Sequence, residues 1–467
     1  MSSLLPGSIK LQLPNSLSVR HLVYGALIGF SLSVTSTSLA LYWQQRKRER
    51  EQDKFEPRPM ELRSDEVVDG VAGLIGNTPL VRIQSLSDAL GVDILGKAEY
   101  LNPGGSVKDR VALRMIEDAE REGLLLPHTG SRIFEGTVGS TGISIATIAK
   151  ARGYDATIIM PDDVAEEKVK ALLALGADVE RVRPASIVDK KQFNLARDRA
   201  AHFGEDSVSS HNAVLLDSES GVVTTTAGDI IAPEHGVITT QDETELRSKP
   251  RGFFADQFEN SSNYMAHLDG TGPEIWRQTS GRVDAFVSGA GTTTMLLSIG
   301  QFLKSMNDDI MIALSDPEGS GLYNKVKYGV MFDSKEAEGT KRRHQVDTVV
   351  EGIGINRLTN NMDYGLSIIN DAFRITDAEA VAMSRYLVKH DGLFLGSSSA
   401  CNLVACIKLV KKLGWKDGQR IVTILCDSGS RHYSKVRTND DYLHRADITA
   451  DDRLIDDLLA SLTENPT

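Results

Sequence analysis

The sequence predicts an α/β protein built on two parallel-rich sheets. Short apolar runs of strand length alternate with helical periods, and the alternation occurs twice, from Val67 to about Val182 and again from Ala285 to Cys426. Strands joined by helices of that length form right-handed crossovers within a parallel sheet. Composition agrees: 467 residues, 41% hydrophobic and 25% charged, describe a globular chain with more than one minimal domain.

In the first series, 93–97 reads as a strand and 107–122 as a helix ended by Gly123. A strand at 132–135 and a helix at 142–152 closed by Gly153 follow. Then come a strand at 156–160, a helix at 166–175 closed by Gly176, and a strand at 178–182. Glycine after each helix is a natural terminator, because it enters the left-handed region without a Cβ clash. The second series has strands at 285–288, 311–315 and 421–426. Between the series, residues 203–250 are dense in Ser, Thr, Asp and Glu and read as a surface insertion or lid. His211 and His235 in it lack ligand spacing. The acidic tail, 448–467, carries an amphipathic helix at 451–462.

Charge and cysteine content exclude several classes. The 52 basic residues against 64 acidic ones give a net charge of −12, which argues against a nucleic-acid partner. Cys401, Cys406 and Cys426 have no spacing for a disulfide framework or zinc site, so no metal is expected. The N-terminus differs from the rest: no acidic residue precedes Glu49. After an acid-free leader, 1–21, residues 22–43 are uncharged, bear Tyr24, Tyr42 and Trp43 near their ends, and precede Arg46, Lys47, Arg48 and Arg50. That pattern predicts a single transmembrane helix, followed by a linker at 44–66, with the bulk of the chain cytosolic. The mitochondrial outer membrane is the expected location, with the endoplasmic reticulum membrane or the mitochondrial interior as alternatives. A cleaved targeting peptide is the competing reading of the same segment.

Four loops carry the chemistry. Lys108 opens a helix after Pro103-Gly104-Gly105; a lysine amine condenses with aldehydes, and burial lowers its pKa. Any single lysine at a helix start is more often structural. The turn from Glu135 to Gly142 runs from strand to helix, where backbone N–H groups form an anion cup suited to a carboxylate. Ser288 to Thr294 repeats that geometry and suits a phosphate, without the Gly-Lys-Ser/Thr of a Walker loop. In Leu395 to Ala400, a serine hydroxyl could meet a heterocycle nitrogen. Together they suit an aldehyde-bearing phosphorylated cofactor, pyridoxal 5'-phosphate.

The ordered motifs Gly76-Asn-Thr-Pro-Leu80, Asn102-Pro-Gly-Gly-Ser-Val-Lys-Asp-Arg110, Thr137-x-Gly-x-Thr-Gly142, Gln257-Phe-Glu-Asn260 and Gly270-Thr-Gly-Pro-Glu-Ile-Trp276 continue through Glu351-Gly-Ile-Gly-Ile355 to Cys426-Asp-Ser-Gly-Ser-Arg-His432. This series resembles the cysteine synthase and cystathionine β-synthase group of fold-type II pyridoxal phosphate enzymes. It covers about residues 67 to 440, and the likeness is greatest to fungal cysteine synthases with an N-terminal membrane segment. The resemblance implies two α/β domains, 67–258 and 259–447. It also implies Lys108 as Schiff-base lysine and proton-abstracting base. Thr137, Val138, Gly139 and Thr141, with Gln257, would hold the substrate carboxylate. Gly291, Thr292, Thr293, Thr294 and Met295 would hold the cofactor phosphate, and Ser398 its ring nitrogen.

Two departures stand out. Ser140 occupies the place of an asparagine that usually contacts the cofactor, and Val138 that of a serine. In the phosphate loop, the usual Gly-Thr-Gly-Gly-Thr reads Gly291-Thr-Thr-Thr-Met295. If the lost glycines needed positive φ, each threonine would cost about 1–3 kcal/mol. The reaction implied is β-replacement, making L-cysteine and acetate from O-acetyl-L-serine and sulfide, by a homodimer. The alternatives are cystathionine β-synthase or serine/threonine deaminase activity, or a membrane-tethered pseudoenzyme that binds without turnover.

Overall fold

The computed structural model describes residues 67–137, 139–162, 164–182, 191–203, 223–225, 249–333, 348–355, 365–432 and 453–460, positions 244 and 451, and short helical pieces between 21 and 46. The chain divides into two units, Met1–Pro59 and Met60–Thr467.

In the larger unit, one sheet runs in the order β1-β2-β11-β8-β9-β10. Its strands are β1 (Leu80–Arg82), β2 (Asp93–Ala98), β8 (Ala285–Gly289), β9 (Met311–Pro317), β10 (Asp371–Ile375) and β11 (Arg420–Leu425). The other runs β5-β4-β3-β7-β6, from β3 (Arg132–Gly136), β4 (Asp155–Pro161), β5 (Asp178–Val182), β6 (Val223–Thr225) and β7 (Gly252–Phe254). Every neighbouring pair is parallel except β1 with β2 and β6 with β7, both at sheet edges. The parallel-rich α/β expectation is therefore met. The sheets interleave along the chain: β1 and β2 precede residue 258, yet β2 pairs with β11, which follows it, and carries β1 as the edge strand of the same sheet.

Helices cover both faces of each sheet, which is why the strands read as continuous apolar runs. Side chains nevertheless alternate between faces. Ala285, Val287, Ile421 and Leu425 pack with Val381, Leu387, Leu403 and Ile407 of helices Asp377–His390 and Ser397–Leu413. Phe286, Val422 and Ile424 point the other way, onto Leu296, Ile299 and Leu303 of helix Thr294–Met306. In the smaller sheet, Ile133 and Ile158 meet Val111, Met115 and Ile148, while Phe134 and Ile159 meet Ala196 and Ala200. The helix terminators behave as read: Gly123, Gly153 and Gly176 have φ of 73°, 77° and 76°.

Two expectations change. Within the insertion at 203–250, Val223–Thr225 adds an edge strand; His211 and His235 lie outside the described residues. The tail helix is described over Arg453–Ala460, with Ile455 buried. The transmembrane helix expected at 22–43 is corrected: no helix among the described residues is long and apolar enough to cross a membrane. The hydroxyl-rich sequence from Ser31 to Ser38 dilutes the apolar run, and Thr35 Oγ1 turns back to donate to Leu32 O at 3.1 Å. The membrane-anchored placement that depended on that helix is withdrawn with it.

A buried ionic cluster fixes the chain around Lys108. Lys97 Nζ of β2 donates to Thr78 O and Glu274 Oε2, both at 2.6 Å, and to Gln278 Oε1 at 3.0 Å. Arg110, two residues beyond Lys108, forks onto Glu274 at 2.7 and 2.8 Å and onto Glu99 at 2.8 and 2.9 Å. Burial works against the Glu274 carboxylate, but Arg110 and Lys97 hold its pKa well below the usual range. Its contribution is therefore present above the ordinary carboxylate range and is lost as pH falls. Glu274→Gln is expected to lower stability by about 3–5 kcal/mol, read from urea midpoints, because Lys97 would stay buried without its counter-charge and Arg110 would keep only Glu99.

Candidate active site

The loop before Lys108 is held to the end of β11. Val107 N–H donates to Cys426 O at 3.1 Å, and Ser106 pairs with Asp427 in an antiparallel bridge. Asp109 reaches back so that its Oδ2 accepts from Gly104 N–H at 2.5 Å. A Cβ on Gly104 would sit 2.4 Å from the Asp109 carboxylate, so the first of the paired glycines is required by close approach. The second, Gly105, has φ of 79°. Helix Lys108–Arg121 thus begins where the two sheets meet.

Lys108 is half-buried, and burial pulls its amine down to about 8 despite the opposing influence of Cys426 and Glu135. Its neighbours carry little charge. Burial pushes the Cys426 thiol up to about 12, with Asp427 adding to the rise and a hydrogen bond with Ser398 opposing it. Burial also raises the Glu135 carboxyl well above the usual range, with Asp256 adding to the rise. An amine lowered to about 8 keeps about a tenth of its population unprotonated at pH 7, far more than an ordinary lysine does.

The loop expected to hold a substrate carboxylate leaves the C-terminal end of β3, the end at which open α/β sheets bind ligands. Thr137 and Thr141 are buried, and Thr141 Oγ1 donates to Gln257 Oε1 at 2.5 Å. Gly139 sits at φ 131°, and Ser140 opens helix Ser140–Ala151. The structure therefore brings Thr141 and Gln257 together across 116 residues of sequence. Val138 lies outside the described residues.

The loop expected to hold a phosphate, Gly291 to Met295, follows β8. A Cβ on Gly291 would lie 2.1 Å from Gly352 O, so no side chain fits there. Among the three threonines, Thr293 alone has a positive φ, 63°, and it caps helix Thr294–Met306. The feared strain thus falls on one residue. Thr293 and Thr294 hydroxyls donate to Thr292 O, and Asn263 Nδ2 donates to Thr292 Oγ1 at 3.2 Å. Met295 packs against the core beside Leu296 and Ile299. Asn402 links this loop to Ser398, one turn earlier on the same helix: its Oδ1 accepts from Gly289 N–H at 2.7 Å and its Nδ2 donates to Ile424 O at 2.9 Å.

These residues fit the cofactor that the sequence suggests. The amine, the helix N-terminus behind a turn at Gly291 that admits no side chain, and the Ser398 hydroxyl beside the Lys108 neighbour Cys426 match an aldehyde, a phosphate and a ring nitrogen. Sequence reasoning missed the Cys426 thiol beside Lys108, the carbonyl of Gly352 against Gly291, and Lys168, whose stem lies on Gly139. No spacing rule signals such contacts between distant segments. Because only Thr293 is left-handed, Thr293→Gly is expected to be neutral or stabilising by about 1 kcal/mol, whereas Thr292→Gly and Thr294→Gly each cost about 1–2 kcal/mol in urea unfolding.

Comparison with known proteins agrees with this geometry. Residues 71–427 match the family described as pyridoxal-phosphate dependent enzyme. Cysteine synthase 2 of Schizosaccharomyces pombe is 51% identical over 385 residues, 82% of this chain and 87% of that protein. A Saccharomyces cerevisiae protein named "Putative mitochondrial cysteine synthase" is 44% identical over 405 residues, 86% of this chain and 91% of that one. The crystal structure of O-ureido-L-serine synthase superposes with a TM-score of 0.59 at 25% identity, covering 81% of this chain and 100% of that one. With its two parallel-rich sheets, its Lys108 loop and a match over most of its length, this chain belongs to the pyridoxal-phosphate dependent enzyme family.

Proposed function

We propose that this protein is a cysteine synthase that replaces the β-substituent of an amino acid with sulfide. The observation that carries the reading is the Lys108 amine, lowered to about 8 by burial beside Cys426 and Glu135, at the start of a helix that opens directly after the Pro103-Gly104-Gly105 turn. The curated relatives named cysteine synthase support it over other family reactions.

Pyridoxal phosphate, when bound, supplies an electron sink for the charge that develops at the substrate α-carbon. The chain supplies the rest. Gly291, Thr292, Thr293 and Thr294, with the helix N-terminus behind them, hold the phosphate, and Ser398 holds the ring nitrogen as a neutral hydroxyl partner. Met295, partly buried, closes this loop and packs against the core. Thr137, Val138, Gly139 and Thr141, with Gln257, hold the substrate carboxylate, and Ser140 stands at the cofactor side of that loop. Lys108 Nζ takes the proton from the α-carbon and returns it at the end of the cycle. With O-acetyl-L-serine, the C–O bond breaks and acetate leaves with its electron pair; a C–S bond to sulfide then forms L-cysteine.

Two features extend this reading beyond the chemistry. The acid-free leader and the name of the yeast relative support placement in the mitochondrial interior. A homodimer is the expected assembly.

Cysteine formation from O-acetylserine and sulfide tests the proposal directly. Lys108→Ala is expected to lower turnover by about 1,000-fold or more; a variant as fast as the parent defeats the assignment. Condensation of serine with homocysteine at a higher rate would favour the cystathionine β-synthase alternative. Loading of cofactor-free protein with pyridoxal phosphate is expected to accelerate with pH up to about 8 and then level off, since only the neutral amine attacks an aldehyde. A lysine at its ordinary value would keep accelerating to about pH 10.

A further inference from the structure

Lys168 has no part in the chemistry above, yet its side chain is only 2% exposed. It lies on helix Glu166–Ala174, which packs with the smaller sheet. Its stem lies across Gly139: a Cβ there would be 2.5 Å from Lys168 Cδ and 3.3 Å from Cγ. Its Nζ forms an ion pair with Glu351. The stem therefore presses on the carboxylate loop while the ammonium is held elsewhere.

Glu351 begins a loop built onto the phosphate site. Its N–H donates to Ser397 Oγ at 3.2 Å, next to Ser398. Gly352 O closes against Gly291, and Gly354 N–H donates to Ala290 O at 2.9 Å. The Glu351 carboxylate also lies 3.5 Å from His432 Nδ1, whose Nε2 meets Asp427 Oδ2 at 2.9 Å. Asp427 is the residue that bridges to Ser106 in the Lys108 loop. One buried ammonium thus spans the carboxylate loop, the loop behind the phosphate site and, through His432, the segment that anchors Lys108.

We propose that Lys168 is a positioning residue that couples the substrate-carboxylate loop to the phosphate loop through Glu351. The proposal rests on the assignment of those two loops made above. Its physical basis is that a buried ammonium is tolerated only while its carboxylate stays within reach. The Lys168–Glu351 pair therefore sets the separation of the two loops, and the lysine stem holds Gly139 at the backbone angle that the carboxylate cup needs.

The test uses the full-length, cofactor-loaded protein with Lys168→Met, Glu351→Gln, the double variant and Lys168→Arg. Methionine keeps a stem on Gly139 and removes the charge. Each single variant is expected to raise KM for O-acetylserine by about 5–10-fold while kcat changes less than about twofold, the signature of lost uniform binding. The double variant should be no worse than either single one, and arginine should restore KM to within about twofold of the parent. Hydrogen exchange in the segment 136–146 gives a second readout that needs no turnover. It should quicken in both single variants before substrate is added. Unchanged KM and unchanged exchange in Glu351→Gln overturn the proposal, and so does an effect of Lys168→Met that Glu351→Gln does not share. If Lys168→Met fails to fold, Glu351→Gln and Lys168→Arg decide. If the parent itself makes no cysteine, the function assignment fails, and the exchange measurement still decides the role of Lys168.

Discussion

The backbone hydrogen bond from Val107 N–H to the Cys426 carbonyl is the contact on which the candidate site depends. Helix Lys108–Arg121 packs with the smaller sheet, whereas β11 lies in the middle of the larger one. Joining the residue before that helix to the residue after that strand places Lys108 at the junction of the sheets. The loops proposed to hold carboxylate and phosphate leave the C-terminal ends of β3 and β8, where strand ends and helix starts leave N–H groups open to a ligand.

The ionisable groups around that junction sort by whether a counter-charge is at hand. Arg110 and Glu99 are buried and Glu274 partly so, yet they form short, forked hydrogen bonds and stay charged. Lys108, Glu135 and Cys426 lack such partners, and burial shifts each toward its neutral form. The same desolvation that rigidifies the paired cluster prepares the unpaired amine for nucleophilic and proton-transfer chemistry. Asp109 is intermediate: burial raises it to about 6, while Ser144 and the Gly104 N–H oppose the rise.

The loop proposed to hold the phosphate shows how a departure from the usual glycine pattern can be accommodated. Gly291 is retained where a carbonyl from the Glu351 loop leaves no space, and positive φ is confined to Thr293. The threonine hydroxyls close the turn on itself through Thr292, and Met295 serves the core. The turn is stiffened by side-chain hydrogen bonds where glycine would have given only freedom.

The sequence by itself determined the α/β class, the helix ends at Gly123, Gly153 and Gly176, and the family, because hydrophobic period, terminators and ordered motifs are local properties of a chain. It also placed Lys108 at a helix start and the three Gly/Ser/Thr turns between strand and helix. Apolar count and flanking charge at 22–43 misled, because they do not weigh the hydroxyl groups that dilute the run. Only the tertiary structure decided that β1 and β2 join the strands after residue 258, that Thr141 meets Gln257, that one threonine of three is left-handed, and that Lys168 crosses Gly139 to reach Glu351. Those outcomes depend on which distant segments come into van der Waals contact, and no local pattern encodes that.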